Sequence, residues 1–302
     1  MKVGVIGLGD IAQKAYLPII TSMTDVDPVF CTRTRSVLHK LSDKYHVDRK
    51  VESVEELLEL DIEAAFVHTA TEAHYEITKK LLNSGIHTYV DKPAAYSYKE
   101  VEAMVELARK KSLVFMTGFN RRYVPTYKEL SDIKGPKIII MEKNRKFLPD
   151  SPRNIIFDDF IHVVDTLRYM LDTKVENMYV DAVLRENNLI RIILTLKSGE
   201  NTAVGIMNRD NAVTEEELEI IGSGRKKKVK NLTEITEFKN NGEHVKNVSG
   251  WNRMEYNRGF VDMVKKFLQM VKEGSIKEEN LEADLKTHKI CEDILKSVHL
   301  SS

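Results

Sequence analysis

Through the first third of the chain, short apolar runs alternate with longer stretches whose apolar residues recur every three or four positions. A short continuous apolar run reads as a buried strand, and the three-to-four spacing reads as an amphipathic helix. The runs are Lys2–Ile6, Val26–Thr32, Ala64–His68, Ile86–Val90 and Leu113–Thr117. Between them the helical spacing covers Ile11 to about Thr21, Tyr75–Asn83, and a stretch reaching about Lys110. Ser53-Val54-Glu55-Glu56 and Ser97-Tyr98-Lys99-Glu100 are capping boxes that open helices, and Gly85 is a helix stop. This alternation predicts an α/β unit, a doubly wound parallel sheet with helices on both faces. A helix is expected over Tyr123–Ile133, and Gly135-Pro136 then breaks the pattern. Lys137–Lys146, Lys174–Asp181, Leu189–Leu196, Asn201–Met207, Glu216–Ile221 and Arg225–Asn231 read as strands. Hairpin turns fall at Lys197-Ser198-Gly199-Glu200 and Gly222-Ser223-Gly224, and Asn257–Lys272 and Asn280–Val298 read as closing helices. A dinucleotide-type domain over 1–120 and an α+β domain over 121–302 follow, the latter on a large, mainly antiparallel open sheet. The closing helices are allowed to pack back on the first domain. An open apolar sheet face predicts a homo-oligomer, a dimer or tetramer.

Composition narrows the function. Of 302 residues, 46 are Lys or Arg and 46 are Asp or Glu, so the formal net charge is zero. That balance argues against nucleic acid and against an anionic membrane surface as partners. The basic cluster Arg225-Lys226-Lys227-Lys228 follows a hairpin turn and reads as solvated. Cys31 and Cys291 lie in no ligand spacing, which supports neither a disulfide framework nor a metal site. The first residues are too short and glycine-rich for a signal peptide, and no apolar run approaches the length of a membrane span. The expected location is the cytoplasm, and the expected partner is a small polar molecule.

The chemistry-bearing residues cluster where predicted strands end. Gly7-Leu8-Gly9-Asp10-Ile11-Ala12 fits G-x-G-x-x-G/A between a strand and a helix. Gly7 permits the tight turn, Gly9 lets a pyrophosphate approach the backbone, and Ala12 lets the helix pack closely. The amides near Asp10 and Ile11 supply donors and a positive dipole end. This predicts a Rossmann nucleotide site. At the end of the second strand, where an acidic residue marks NAD, the chain reads Thr32-Arg33-Thr34-Arg35. A hydroxyl with the guanidiniums of Arg33 and Arg35 suits a 2′-phosphate, so NADP(H) is expected over NAD(H). Thr69, Ala70 and Thr71 are small enough for a cofactor to lie along them, and His74, one turn on, is counted with them. Asp91-Lys92-Pro93 mounts a lysine at a strand end beside a rigid proline, where open α/β sheets bind ligands. Gly118-Phe119-Asn120-Arg121-Arg122 closes the last strand of the first domain. Farther on, Asp158, His162 and Asp165 fall at i, i+4 and i+7, one face of an α-helix, a set suited to proton transfer. The same spacing could hold a divalent metal, but no second ligand cluster is visible and none is expected.

In this order the motifs resemble the Gfo/Idh/MocA family, the glucose-fructose oxidoreductase and inositol dehydrogenase group, over essentially the whole chain, and its MviM-like branch most closely. The resemblance implies that Lys92 serves catalysis on the nicotinamide side, with Asp91 and Asn120 at the cofactor. It places Asp158 and His162 as the site carboxylate and histidine, and Asn120 and Arg122 beside the substrate. The family's glutamate before the lysine is Asp91 here. The glycine between Asp158 and His162 is Phe160, expected to narrow or reshape the substrate pocket, and the preceding glycine run is Arg153-Asn154-Ile155-Ile156. The implied reaction is hydride transfer between the nicotinamide and a secondary alcohol or ketone of a sugar, polyol or similar metabolite. His162 is expected to carry the proton and Lys92 to stabilise developing negative charge, because a lysine starts near a pKa of about 10.4. Two other readings stand beside it: a catalytically silent nucleotide-binding sensor, and an enzyme acting on amino or imino groups.

Overall fold

The computed structural model describes residues 1–248, 251–274 and 278–300. They divide into two compact units, Met1–Gly118 with Phe260–Lys286, and Phe119–Gly259 with the residues from Thr287 on.

The first unit is built on six parallel strands, β1 (Lys2–Ile6), β2 (Asp27–Cys31), β3 (Lys50–Val51), β4 (Ala64–Val67), β5 (His87–Val90) and β6 (Phe115–Thr117), in the order β3-β2-β1-β4-β5-β6. Every residue of β4 is fully buried, which is why its sequence is a continuous apolar run without alternation. The order reverses direction between β1 and β4, and ligands bind beyond the carboxyl ends of strands at such a switch. β3 is an edge strand of two residues, too short to leave a periodic signal. The helix after β4 runs Thr71–Asn83, four residues longer at its start than the predicted Tyr75–Asn83. Ser53 caps its helix as expected, accepting the Glu56 amide at 3.2 Å. The second capping box does not form. The Ser97 backbone carbonyl, not its hydroxyl, takes the amides of Glu100 and Val101.

The second unit carries eight strands, β7 (Lys137–Asn144), β8 (Asn177–Arg185), β9 (Asn188–Ser198), β10 (Asn201–Asn208), β11 (Glu215–Gly222), β12 (Arg225–Lys230), β13 (Glu234–Lys239) and β14 (Gly242–Asn247). Their order is β14-β13-β12-β11-β7-β10-β9-β8, antiparallel throughout except for the parallel pair of β7 with β10. The sheet is thus mainly antiparallel, as expected. β13 and β14 escaped sequence reading because β14 is exposed along its whole length and β13 buries little, so neither carries an apolar pattern. Ser223 and Gly224, both left-handed, make the two-residue turn joining β11 to β12. The helix Ile161–Leu171 packs on one face of the sheet, so close that a side chain at Gly205 would run into Val163 and Leu167. The helix predicted over Tyr123–Ile133 is three short pieces, Asn120–Tyr123, Pro125–Lys128 and Glu129–Asp132, because Pro125 restarts the chain after Val124. Each residue of the basic cluster Arg225–Lys228 meets a carboxylate (Asp132, Glu217, Glu219 or Glu237), which leaves no cationic patch there.

Candidate active site

The turn after β1 has the geometry a dinucleotide needs. Gly7 has φ +87° and lies against the backbone of His68 and Thr69, so any side chain would collide there. A Cβ at Gly9 would meet nothing within 4 Å, leaving room for a group to lie against the backbone. Ala12 is fully buried against the core, as the fingerprint requires. Asp10 is exposed and pairs with Lys14 at 2.8 Å, which offsets its charge at the mouth of the turn. The residues present therefore fit a nucleotide. At the end of β2, Thr32 is half-buried and Arg33 exposed. Arg35 departs from expectation: its Nε lies 2.7 and 2.8 Å from the two oxygens of Glu52, so its guanidinium already has a carboxylate.

Lys92 sits at the end of β5 between two anchored neighbours. Asp91 was expected at the cofactor, but both its oxygens are engaged inside the unit. Oδ1 accepts the Tyr16 hydroxyl at 2.8 Å, and Oδ2 lies 2.9 Å from His68 Nδ1. Burial pushes the Asp91 carboxyl up, but its bonds to His68 and Tyr16 outweigh burial and leave it below the usual range. Burial and the nearby carboxylate push the Tyr16 phenol well above its ordinary value. On the other side of Lys92, the Pro93 carbonyl lies 2.9 Å from His74 Nδ1, while His74 Nε2 lies 3.0 Å from the Thr69 carbonyl. His74, counted from sequence among the cofactor contacts, is 1% exposed and works on the protein backbone instead. A neutral imidazole can donate to only one of these carbonyls, and burial lowers the His74 pKa despite their pull. The peptide bond between Lys92 and Pro93 is cis.

The second unit arranges its site residues differently. The predicted shared face of Asp158, His162 and Asp165 assumed an unbroken α-helix. Instead Ile155–Phe160 is a π-helical turn, and the α-helix begins only at Ile161. The wider turn changes the period between Asp158 and His162 from the one assumed. Asp165, 1% exposed, accepts from Arg122 and from the Thr287 hydroxyl at 2.9 Å. Arg122 Nε lies 3.2 and 3.0 Å from the Asp165 oxygens, so this guanidinium, expected at the substrate, braces a buried carboxylate. Asn120, expected at cofactor and substrate, donates to the Arg258 carbonyl at 2.8 Å and accepts from Arg121 at 3.0 Å. Phe160, expected in the pocket, is fully buried and points its ring toward Gly205 in the core.

His162 is 8% exposed, and one guanidinium nitrogen of Arg121 stands 3.4 and 3.3 Å from its two ring nitrogens. Behind Arg121 runs a buried chain of charges. Arg121 reaches Glu216 at 2.9 Å, Lys143 reaches Glu216 at 2.7 Å and Asp159 at 3.6 Å, and Arg145 grips Asp159 with two nitrogens at 2.6 and 2.7 Å. The Tyr127 hydroxyl adds a bond to Glu216 at 2.9 Å. Burial resists the charge on Glu216, yet Arg121 and Lys143 hold it far below the carboxylate range. Asp159 is likewise brought down to about 2, burial being outweighed by Arg145, Lys143 and Arg209. Lys143 falls to about 8 because it loses more hydration than its carboxylates return. A cavity of about 490 Å³ within this unit is lined by Asp158, Asp159, Arg145, Arg209, Asp150 and Thr214, among others.

Sequence reading missed this chain for a physical reason. Glu216 and Lys143 are directly opposed on β11 and β7, a register no local pattern announces. His68 was more visible, as the polar residue ending an apolar run beside Gly7.

Comparison with known proteins places the geometry in context. The family described as "Oxidoreductase family, NAD-binding Rossmann fold" matches residues 1–119, and "YceM-like, C-terminal domain" matches residues 125–240. The chain is 30% identical over 294 residues to a putative oxidoreductase, YceM, of Salmonella typhimurium, covering 92% of each chain. It is 24% identical to a myo-inositol 2-dehydrogenase of Thermotoga maritima, over 91% of this chain and 89% of that one. A solved dehydrogenase, MviM, from Clostridium difficile superposes with a TM-score of 0.94 at 33% identity, over 98% of this chain and 99% of that one. Two successive domain matches and full-length similarity agree with the glycine turn and the lysine at the end of β5: the chain belongs to the Gfo/Idh/MocA family of NAD(P)-dependent oxidoreductases.

Proposed function

We propose that this protein transfers a hydride between NADP(H) and a secondary alcohol or ketone of a sugar, polyol or related polar metabolite, in the cytoplasm. The observation that carries the reading is Lys92 at the carboxyl end of β5, one strand from the nucleotide turn's neighbour β4, with its backbone held on both sides. The turn Gly7–Ala12 and the stretch Thr69–Thr71 hold the nucleotide, and Arg33 takes the 2′-phosphate, with NAD(H) the weaker ligand. When bound, the nicotinamide supplies or accepts the hydride. Lys92 stabilises negative charge on the reacting oxygen, His162 carries the proton, and Asp158 orients the pair. Asn120 and Arg122 are assigned to the framework of the second unit, given their internal partners.

The burial of Phe160 bears on the rival reading of a silent sensor, since its ring fills core and not a pocket. The sheet face away from the helix Ile161–Leu171 exposes Ile138, Tyr179 and Val183, which supports a homo-oligomer formed through that face. The test is Lys92→Met. Turnover in a cofactor-coupled screen of sugars, inositols and keto-sugars is expected to fall by roughly two to four orders of magnitude, with NADPH binding retained. Unchanged turnover in the variant would remove Lys92 from the reaction.

A further inference from the structure

Asp91, His68, Tyr16 and His74 are absorbed by neither the nucleotide site nor the proton chemistry, yet all four are buried and all four converge on the three residues 91–93. We propose that they are positioning residues, which clamp the backbone on either side of Lys92 and thereby fix where its ammonium is presented. The proposal rests on the catalytic assignment of Lys92 made above.

The clamp has two jaws. On the amino side, Asp91 receives Tyr16 from the helical segment Ala12–Tyr16 and His68 from just past the end of β4, while the Tyr16 and Tyr89 hydroxyls meet at 2.6 Å. The Tyr16 ring lies 3.9 Å from the His68 ring, centre to centre, which limits how far either donor can swing. Gly118, at the end of β6, completes this jaw by what it lacks: a Cβ there would collide with the Tyr89 hydroxyl and come within 3.1 Å of Asp91 Oδ1. On the carboxyl side, the His74 ring lies between the Pro93 and Thr69 carbonyls and, when neutral, donates to one of them. The end of β4 and the helical segment after the nucleotide turn are thus fastened to the segment that carries Lys92, and the end of β6 packs against it.

Stability does not account for this construction. His68 Nε2 is buried without a hydrogen-bond partner, a cost that folded proteins generally avoid. Phe66, Tyr16 and Tyr89 surround the same ring, so an apolar side chain would fill the site without that cost. What the imidazole adds is its one bond to Asp91. Aspartate also stands where the family pattern has glutamate. His68 and Tyr16 are the donors that meet this shorter carboxylate.

The test reads Lys92 directly and needs no substrate. The intact protein is labelled with an amine-reactive acylating reagent from about pH 7 to about pH 11, spanning ordinary lysine titration. Lys92 modification is followed by peptide mass spectrometry, with exposed Lys40 and Lys99 as internal standards. Asp91→Asn and His74→Leu are expected to change the Lys92 rate by at least about threefold or to displace its pH profile, with the standards unmoved. A Lys92 profile identical to wild type in both folded variants overturns the proposal. If either variant fails to fold, Tyr16→Phe, which deletes one hydroxyl and keeps the ring, is read in its place by the same criterion. Where a turned-over substrate is in hand, Asp91→Asn is expected to lower kcat about ten- to hundredfold with KM within about threefold. The two ideas fail separately. Full activity in Lys92→Met removes the catalytic reading and leaves the labelling result standing. A normal labelling profile in the variants removes the clamp and leaves Lys92 in the reaction.

Discussion

Lys92 and His162 are held by opposite physical means. Around Lys92 the support is mostly neutral: two phenols, two imidazoles, a glycine and a single carboxylate, acting on backbone and at short range. Around His162 the support is ionic, a run of three cations and two carboxylates from buried Arg121, Glu216 and Lys143 to half-buried Asp159 and Arg145. A hydrogen-bonded aromatic mount loses a modest amount when one donor is removed, because the rest can still close around it. An alternating buried charge chain loses much more, because each deletion strands a charge away from water. The first design fixes a position. The second also fixes a potential, and ties the site's integrity to protonation.

The largest expected effect breaks this contrast at its strongest point. Glu216→Ala takes the carboxylate from buried Arg121, leaves buried Lys143 only its 3.6 Å contact with Asp159, and removes the acceptor of the Tyr127 hydroxyl. The expected loss is about 3–5 kcal/mol in chemical denaturation. Asp91→Asn keeps the size and an acceptor oxygen for Tyr16, and its expected loss is only about 1–2 kcal/mol. Equal losses from the two variants would erase the distinction between the mounts.

The acid limb of stability sharpens the same comparison. Glu216 and Asp159 titrate lower in the folded protein than in the unfolded chain, Asp159 at about 2 against an ordinary 3.8. The unfolded chain therefore binds more protons as pH falls below ordinary carboxylate values, and the stability these groups contribute above that range is lost on the way down toward pH 2. Asp159 alone accounts for on the order of 2 kcal/mol of this. Lys143 acts with the same sign in a different window: its folded value of about 8 lies below the ordinary 10.5, so its own contribution also improves as pH rises, between the two. Asp159→Asn is expected to flatten the melting temperature's dependence on pH between about 2 and 4. An unaltered acid limb in that variant would mean the chain of charges does not govern it.

The sequence made one mount far more legible than the other. The alternation of short apolar runs with amphipathic stretches fixes the order of strand ends, and so it locates Gly7, Thr69 and Lys92 before any coordinate is known. Local spacing had no sign of the π-helical turn at Ile155–Phe160, which changes the period the reading assumed over Asp158–Asp165. It also had no access to Glu216 and Lys143, which meet only through the pairing of two strands distant in sequence. Asn120 and Arg122 also have partners within the protein, the Arg258 carbonyl and Asp165, that motif position does not announce, since it does not say which way a side chain turns.

The smallest expected effect concerns the nucleotide. Two arginines follow β2, and sequence alone treats them as equals. Arg35 Nε donates to both oxygens of Glu52, so recruiting it to a phosphate means giving up a bond already made. Arg33 is exposed beside Thr32 and carries no such commitment. A guanidinium contact to a 2′-phosphate in open solvent is worth about 1–2 kcal/mol. Arg33→Ser is therefore expected to reduce the preference for NADPH over NADH, measured as a ratio of dissociation constants, by about tenfold. Arg35→Ser is expected to change it by about threefold or less, since the freed Glu52 carboxylate then opposes the phosphate only weakly through solvent. If the two substitutions reverse in size, Glu52 does not hold Arg35 when the nucleotide is bound, and the phosphate is read by the guanidinium at the start of the helix Arg35–Tyr45.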